Sequence, residues 1–126
     1  MRIGEVANRS GVSVDTVRFY ERRGVLPIPE RTRSGYRTYG PAAVERIRLA
    51  RRLQAVGLTL DEVIDALHAT DSGDVTCASE RWRLEAVVER IDAKVAELRT
   101  VRREVTKVMA ACDRGRCVFA ESEIGA

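Results

Sequence analysis

Three cysteines, Cys77, Cys112 and Cys117, hold the most distinctive chemistry in this chain of 126 residues. A thiolate is both a nucleophile and a soft metal ligand. Three of them could hold a thiophilic ion or take part in redox exchange. Any one alone reads as a small buried hydrophobe, so their spacing has to carry the argument. Cys77, Leu84, Ile91, Leu98, Val105 and Cys112 are separated by multiples of seven. On one long helix, expected over about 77–112, all six lie on a common seam. At ~1.5 Å per residue the two cysteines at its ends stand roughly 50 Å apart, too far to share an ion within one chain. Two such helices paired antiparallel bring Cys77 of one chain to Cys112 of the other. Cys117 follows Cys112 after Asp113-Arg114-Gly115-Arg116, and the glycine lets that short loop fold back.

The expectation is two identical three-thiolate sites in a homodimer, each built from both chains. Three thiolates without imidazole suit Hg(II), then Cd(II) or Pb(II), then Zn(II), because structural zinc normally takes four ligands. His68, the one histidine, is remote from the cysteines and is assigned to packing or surface. Arg114 and Arg116 are expected to lower the thiol pKa values, which keeps a thiol redox switch as the alternative.

A second set of residues could bind a polyanion. Residues 1–56 carry 12 Lys and Arg against 5 Asp and Glu, whereas residues 57–126 carry 10 against 14. The basic half thus points to nucleic acid and the acidic half to a different task. Thr16, Arg18, Tyr20, Arg22 and Arg23 fall on one short helix, and Tyr36, Arg37 and Tyr39 on a turn-and-strand segment. A further helix adds Arg46, Arg48, Arg51 and Arg52. Arginine neutralises phosphates or pairs with guanine edges, and tyrosine donates to phosphates.

The elements that must position these groups are legible in outline. Ile3, Val6 and Ala7 share a helical face, and Gly11 marks a turn. Ser13 can cap a second helix that runs to Arg23 and stops at Gly24. Pro27 and Pro29 forbid regular continuation. Residues 34–39 read as a strand or hairpin wing. Gly40-Pro41 opens a third helix ending at Gly57. Thr59 and Glu62 form a capping-box pattern for a fourth helix through about Ala69. The long helix follows, and its second series, Val88, Val95, Arg102 and Met109, is broken at Arg102. One isolated helix cannot bury such a stripe, so a second copy of the chain is the expected partner.

The chain is small for an enzyme with a deep cleft. It shows no general-base constellation and no phosphate-binding glycine loop. A small metal-buffering protein is a further alternative, opposed by the basic helix and wing. No apolar run is long enough to span a membrane, and no basic start leads into one, so a cytoplasmic protein is expected.

These motifs resemble the MerR family of transcription regulators over residues 2–67. The matching stretches are Ile3-Gly4-Glu5-Val6-Ala7, then Thr16-Val17-Arg18-Phe19-Tyr20-Glu21 with Gly24, then Gly35-Tyr36-Arg37-Thr38-Tyr39, and Leu53, Gly57, Leu60 and Glu62. The long helix and terminal cysteines extend the likeness over nearly the whole chain. The resemblance implies a mostly α fold: a winged helix-turn-helix DNA-binding domain, then a long antiparallel coiled-coil dimerisation helix. It supports a division into a DNA-binding domain with connecting helices at 1–69, a loop and dimer helix at 70–112, and a metal-binding loop and tail at 113–126. It places Arg18, Tyr20, Tyr36, Arg37, Tyr39 and Arg52 at the DNA, where Thr16 joins them by its position on the same helix as Arg18, and Cys77, Cys112 and Cys117 at a metal. It also implies a dimer that stays on its promoter, distorts the duplex on metal capture and so lets RNA polymerase start. The loop between the last two cysteines is shorter than in the best-known metal sensors of the family, and Val118-Phe119 replaces the usual proline-led run.

Overall fold

The computed structural model describes residues 1–27 and 29–120; the end of the expected tail, 121–126, lies outside the described residues. Element order is α1 (Ile3–Ser10), α2 (Val14–Arg23), β1 (Glu30–Arg31), β2 (Arg37–Thr38), α3 (Pro41–Ala55), α4 (Leu60–Asp71) and α5 (Cys77–Asp113). The chain divides into two compact units, Met1–Leu84 and a second that begins at Glu85.

Local chemistry sets the helix ends. The Ser13 Oγ accepts the Thr16 N–H at 3.1 Å, and Gly24 closes α2 in the left-handed region. Thr59 and Glu62 make the full reciprocal capping box of α4. Thr76 and Ser79 exchange backbone-to-side-chain hydrogen bonds in the same way, so α5 starts at Cys77. α3 ends at Ala55 rather than at Gly57, and α4 runs two residues past Ala69. Shifts of that size are ordinary fraying and capping variation.

Within the first unit, Val6 of α1, Val17 of α2, Ile47 of α3 and Val63 and Leu67 of α4 are fully buried, together with Val25 of the following turn. Each such side chain contributes about 1.5–3 kcal/mol by leaving water. They lock α1 and α2 onto α3 and α4. The unit reaches past residue 69 because Arg83 of α5 donates to Asp65 of α4 at 2.7 Å.

The wing is a two-stranded antiparallel ribbon with Glu30 opposite Thr38 and Arg31 opposite Arg37. Sequence reasoning placed a strand at 34–39 but found no partner for it after the prolines. The partner is β1, which begins directly after Pro29, where a proline interrupts no ladder. Gly35, at φ 84°, makes the reversal between the strands.

Candidate functional site

One face of the first unit carries a groove of about 850 Å³ whose lining includes Arg2, Arg18, Arg22, Arg31, Tyr36 and Arg37. α2 supplies Arg18 and Arg22, and the wing supplies Arg31, Tyr36 and Arg37. The Tyr36 ring is 56% exposed and lies under the Arg2 guanidinium at 4.6 Å. Arg18 is exposed and only loosely held by Asp15 at 3.5 Å. This is a concentrated field of guanidinium groups, the kind of surface that attracts a phosphate backbone.

Glu21 fixes the wing to α2. One carboxylate oxygen accepts from Arg37 at 2.6 Å and the other from the Tyr39 hydroxyl at 2.7 Å. The Glu21 side chain is only 10% exposed, so this junction is partly shielded from water. Burial first, and then the Glu21 hydrogen bond, raises the Tyr39 phenol above its ordinary pKa.

Not every residue expected at the DNA faces solvent. Tyr20 and Tyr39 are each 6% exposed, and the Tyr20 hydroxyl donates to Gln54 of α3 at 2.8 Å. Thr16 is half-buried, with its hydroxyl 2.9 Å from that of Ser13. The basic face expected on α3 is largely engaged within the domain. Arg48 donates to the Arg9 carbonyl at 2.8 Å, and Arg51 to the Ser10 and Gly11 carbonyls at 3.0 and 3.3 Å. These carbonyls lie at the end of α1, where helix carbonyls lack intrahelical donors. Arg46 chelates Asp71 at 2.6 and 2.9 Å and donates to the Val25 carbonyl. Arg48 and Arg51 remain exposed despite these bonds, and so does the fourth arginine, Arg52. Glu21 and Gln54 were given no role from sequence; only the charge of Glu21 inside an aromatic–basic run hinted at its part.

The cysteines occupy the two ends of α5. Cys77 is its first residue, exposed, on the lining of an apolar pocket of about 410 Å³ with Leu53, Leu67 and Leu84. At the other end, Gly115 at φ 82° reverses the chain. The Gly115 N–H donates to the Cys112 carbonyl at 3.0 Å and the Arg116 N–H to that of Ala111 at 2.8 Å. This helix-terminating turn depends on a residue that tolerates positive φ. It brings Cys117 back to Cys112, and the two half-buried thiols hydrogen-bond.

That hydrogen bond is the first cause of a raised Cys112 pKa, followed by burial and the charge of Cys117. The expected lowering by Arg114 and Arg116 does not occur at Cys112: neither is among the causes, and Asp113 adds to the upward shift. Within one chain, the described residues include no group of three or more His, Cys, Asp or Glu side chains placed to hold a metal ion. None of the described helices is long and apolar enough to cross a membrane.

The family model described as the MerR HTH family regulatory protein matches residues 1–70, and that described as MerR, DNA binding matches residues 44–108. The chain belongs to the MerR family. Among MerR relatives, the mercuric resistance operon regulatory protein of Bacillus cereus is 33% identical over 94% of this chain and 89% of its own length. The HTH-type transcriptional regulator HmrR of Rhizobium leguminosarum is 33% identical over 96% of this chain and 95% of its own. The crystal structure of a transcription regulator from Ralstonia metallidurans in complex with lead(II) superposes with a TM-score of 0.80 at 33% identity, covering 88% of this chain and 87% of that one. The relatives are transcriptional regulators and not enzymes. In MerR terms, the groove lies on the winged helix-turn-helix unit, and the paired thiols lie at the end of the long C-terminal helix, Cys112 in its last turn and Cys117 just beyond it.

Proposed function

We propose that this MerR-family chain is a metal-responsive transcription regulator of the cytoplasm. It binds double-stranded promoter DNA as a homodimer and takes a soft divalent ion at two sites shared between protomers. The observation that carries this reading is the contact between Cys112 and Cys117 at one end of a helix whose other end begins with Cys77. Two adjacent thiols are two donors of a soft-metal set, and an antiparallel second helix supplies the third from the partner's Cys77.

Hg(II) ranks first among the ions, because the set is all sulfur with three donors and no imidazole. The mercuric resistance relative supports that order. The lead(II) complex of the Ralstonia metallidurans regulator supports Pb(II) as a further candidate. Cd(II) and Zn(II) complete the alternatives.

On the DNA side, Arg18, Tyr36, Arg37 and Arg52 are the groups that reach the duplex, with Thr16 at the start of α2. Tyr20 and Tyr39 position α2 and the wing from inside the domain. Ligation by thiolates at both dimer ends favours one of two dimer poses, and the favoured pose deforms the promoter into a form that RNA polymerase can use. The test is competitive titration of the reduced protein with Hg(II), Cd(II), Pb(II) and Zn(II) in excess small thiol, followed by footprinting on the promoter. Retention of Hg(II) with an altered footprint supports the account. Retention of none of the four overturns it.

The same thiol contact favours a second reading. Cys112 and Cys117 could close a disulfide, releasing two protons and two electrons to an oxidant such as a peroxide. The raised Cys112 pKa slows this route, since the thiolate is the attacking species.

A further inference from the structure

From Val88 to Met109 every residue of α5 is exposed in the single chain. Leu84, Val88, Ile91, Leu98, Val105 and Met109 are each at least half exposed on one seam. A stripe of this length is covered by another surface. The charges beside it indicate which surface. Lys94 pairs with Glu97, and Lys107 with Glu104, within the helix. Glu89, Asp92, Arg99 and Arg102 make no ion pair among the described residues.

We infer that these four charges fix the register of an antiparallel second copy, with Asp92 of each protomer paired to the partner's Arg99 and Glu89 to the partner's Arg102. The inference rests on the homodimer proposed above. In the register that sets Cys77 against the partner's Cys112, Leu84 faces the partner's Val105 and Ile91 faces the partner's Leu98. The same register brings Asp92 within two residues, ~3 Å of rise, of the partner's Arg99. Glu89 meets the partner's Arg102 with the same small offset. Asp92 and Arg99 are seven apart, so they share one flank of the seam, and antiparallel packing sets that flank against itself. A parallel pair would instead set this flank against the opposite flank of the partner, and Asp92 would not meet Arg99.

Arg102, which interrupts the apolar series, thereby gains a role. A polar residue at one seam position costs stability and selects one register. The opposite charges lie on the two sides of the two-fold axis, which passes between Lys94 and Val95. The metal sites then form at both ends only when this register holds.

The test uses the full chain as wild type, Asp92→Arg, Arg99→Asp and the double variant. Sedimentation equilibrium gives each dimer dissociation constant, and circular dichroism confirms unchanged helicity. A single reversal turns two attractions per dimer into two repulsions and should raise the constant by roughly ten-fold. The double variant should return to within about three-fold of wild type, as complementary pairs are restored. An equimolar mixture of the two single variants should form mainly heterodimers. At ~1 M salt these differences should collapse through screening. Single variants as tight as wild type, or a double variant weaker than either, would overturn the register while leaving the dimer standing. A wild-type chain that stays monomeric at every concentration would overturn the homodimer, and this inference with it.

Discussion

The Glu21 carboxylate accepts the Tyr39 hydroxyl at 2.7 Å and, with its other oxygen, Arg37 at 2.6 Å, so one side chain of α2 sets the pose of the wing. This residue meets the buried Tyr39 on one side and, being negative, binds no phosphate. Its function is to make the helix and the wing one surface.

Tyr39→Phe removes one of those bonds and keeps the ring. It should cost about 0.5–1.5 kcal/mol of stability. Promoter affinity should fall a few-fold, while the slope of log affinity against log salt stays that of wild type, because no phosphate contact is lost. Thermal melts and a salt series of binding isotherms check both.

The raised Tyr39 pKa has a definite pH consequence. The folded chain holds the phenol proton more tightly than the unfolded chain does. The stabilisation is therefore complete below the ordinary phenol value of 10.0 and is lost as pH rises through the folded value. Wild-type stability should drop more steeply than that of Tyr39→Phe as pH rises above 10.0. Parallel curves would contradict the role given to Glu21.

Arg18 and Arg51 should separate by salt dependence. Arg18→Ala should weaken promoter binding and reduce the salt slope by about one. Arg51→Gln withdraws a donor from the Ser10 and Gly11 carbonyls. It should lower stability by about 1–3 kcal/mol and leave the slope unchanged. Equal slope losses would put Arg51 at the DNA.

Gly115→Ala should damage the thiol pair without touching a thiol. The position holds φ 82°, which an L side chain adopts only at a cost of roughly 1–2 kcal/mol. Soft-metal affinity should fall while promoter binding by the metal-free protein stays within about two-fold. Competitive metal titration and a gel-shift assay read the two quantities.

How much of this was legible in sequence follows from how local each signal is. Ser13, Gly24, Thr59 and Glu62 act on backbone groups within three or four residues, so the helix ends could be read to within about two residues. The heptad series marked α5 because its period repeats along one element. β1 could not be read, since two residues beside two prolines carry no period. The carbonyl partners of the α3 arginines could not be read for a related reason. Arg48 and Arg51 bind carbonyls about 40 positions away, and only the packing of α3 on α1 brings those groups together. Tyr20 and Tyr39 match a DNA-facing pattern in type and spacing, yet the fold turns their rings inward. Gly115 was the exception among the distant contacts, because a glycine in so short a loop already implied a reversal.

The claim on which the account depends most is that each metal site draws thiolates from two chains. Complementation tests it directly. One chain carries Cys77→Ser; the other carries Cys112→Ser and Cys117→Ser. Each variant homodimer should fail to retain Hg(II) against excess thiol. Their heterodimer should retain one ion per dimer, half the wild-type amount, because it rebuilds one complete site and leaves the other with no thiolate. A heterodimer that binds no better than its parents, or a Cys77→Ser homodimer that binds as wild type does, would contradict the shared site.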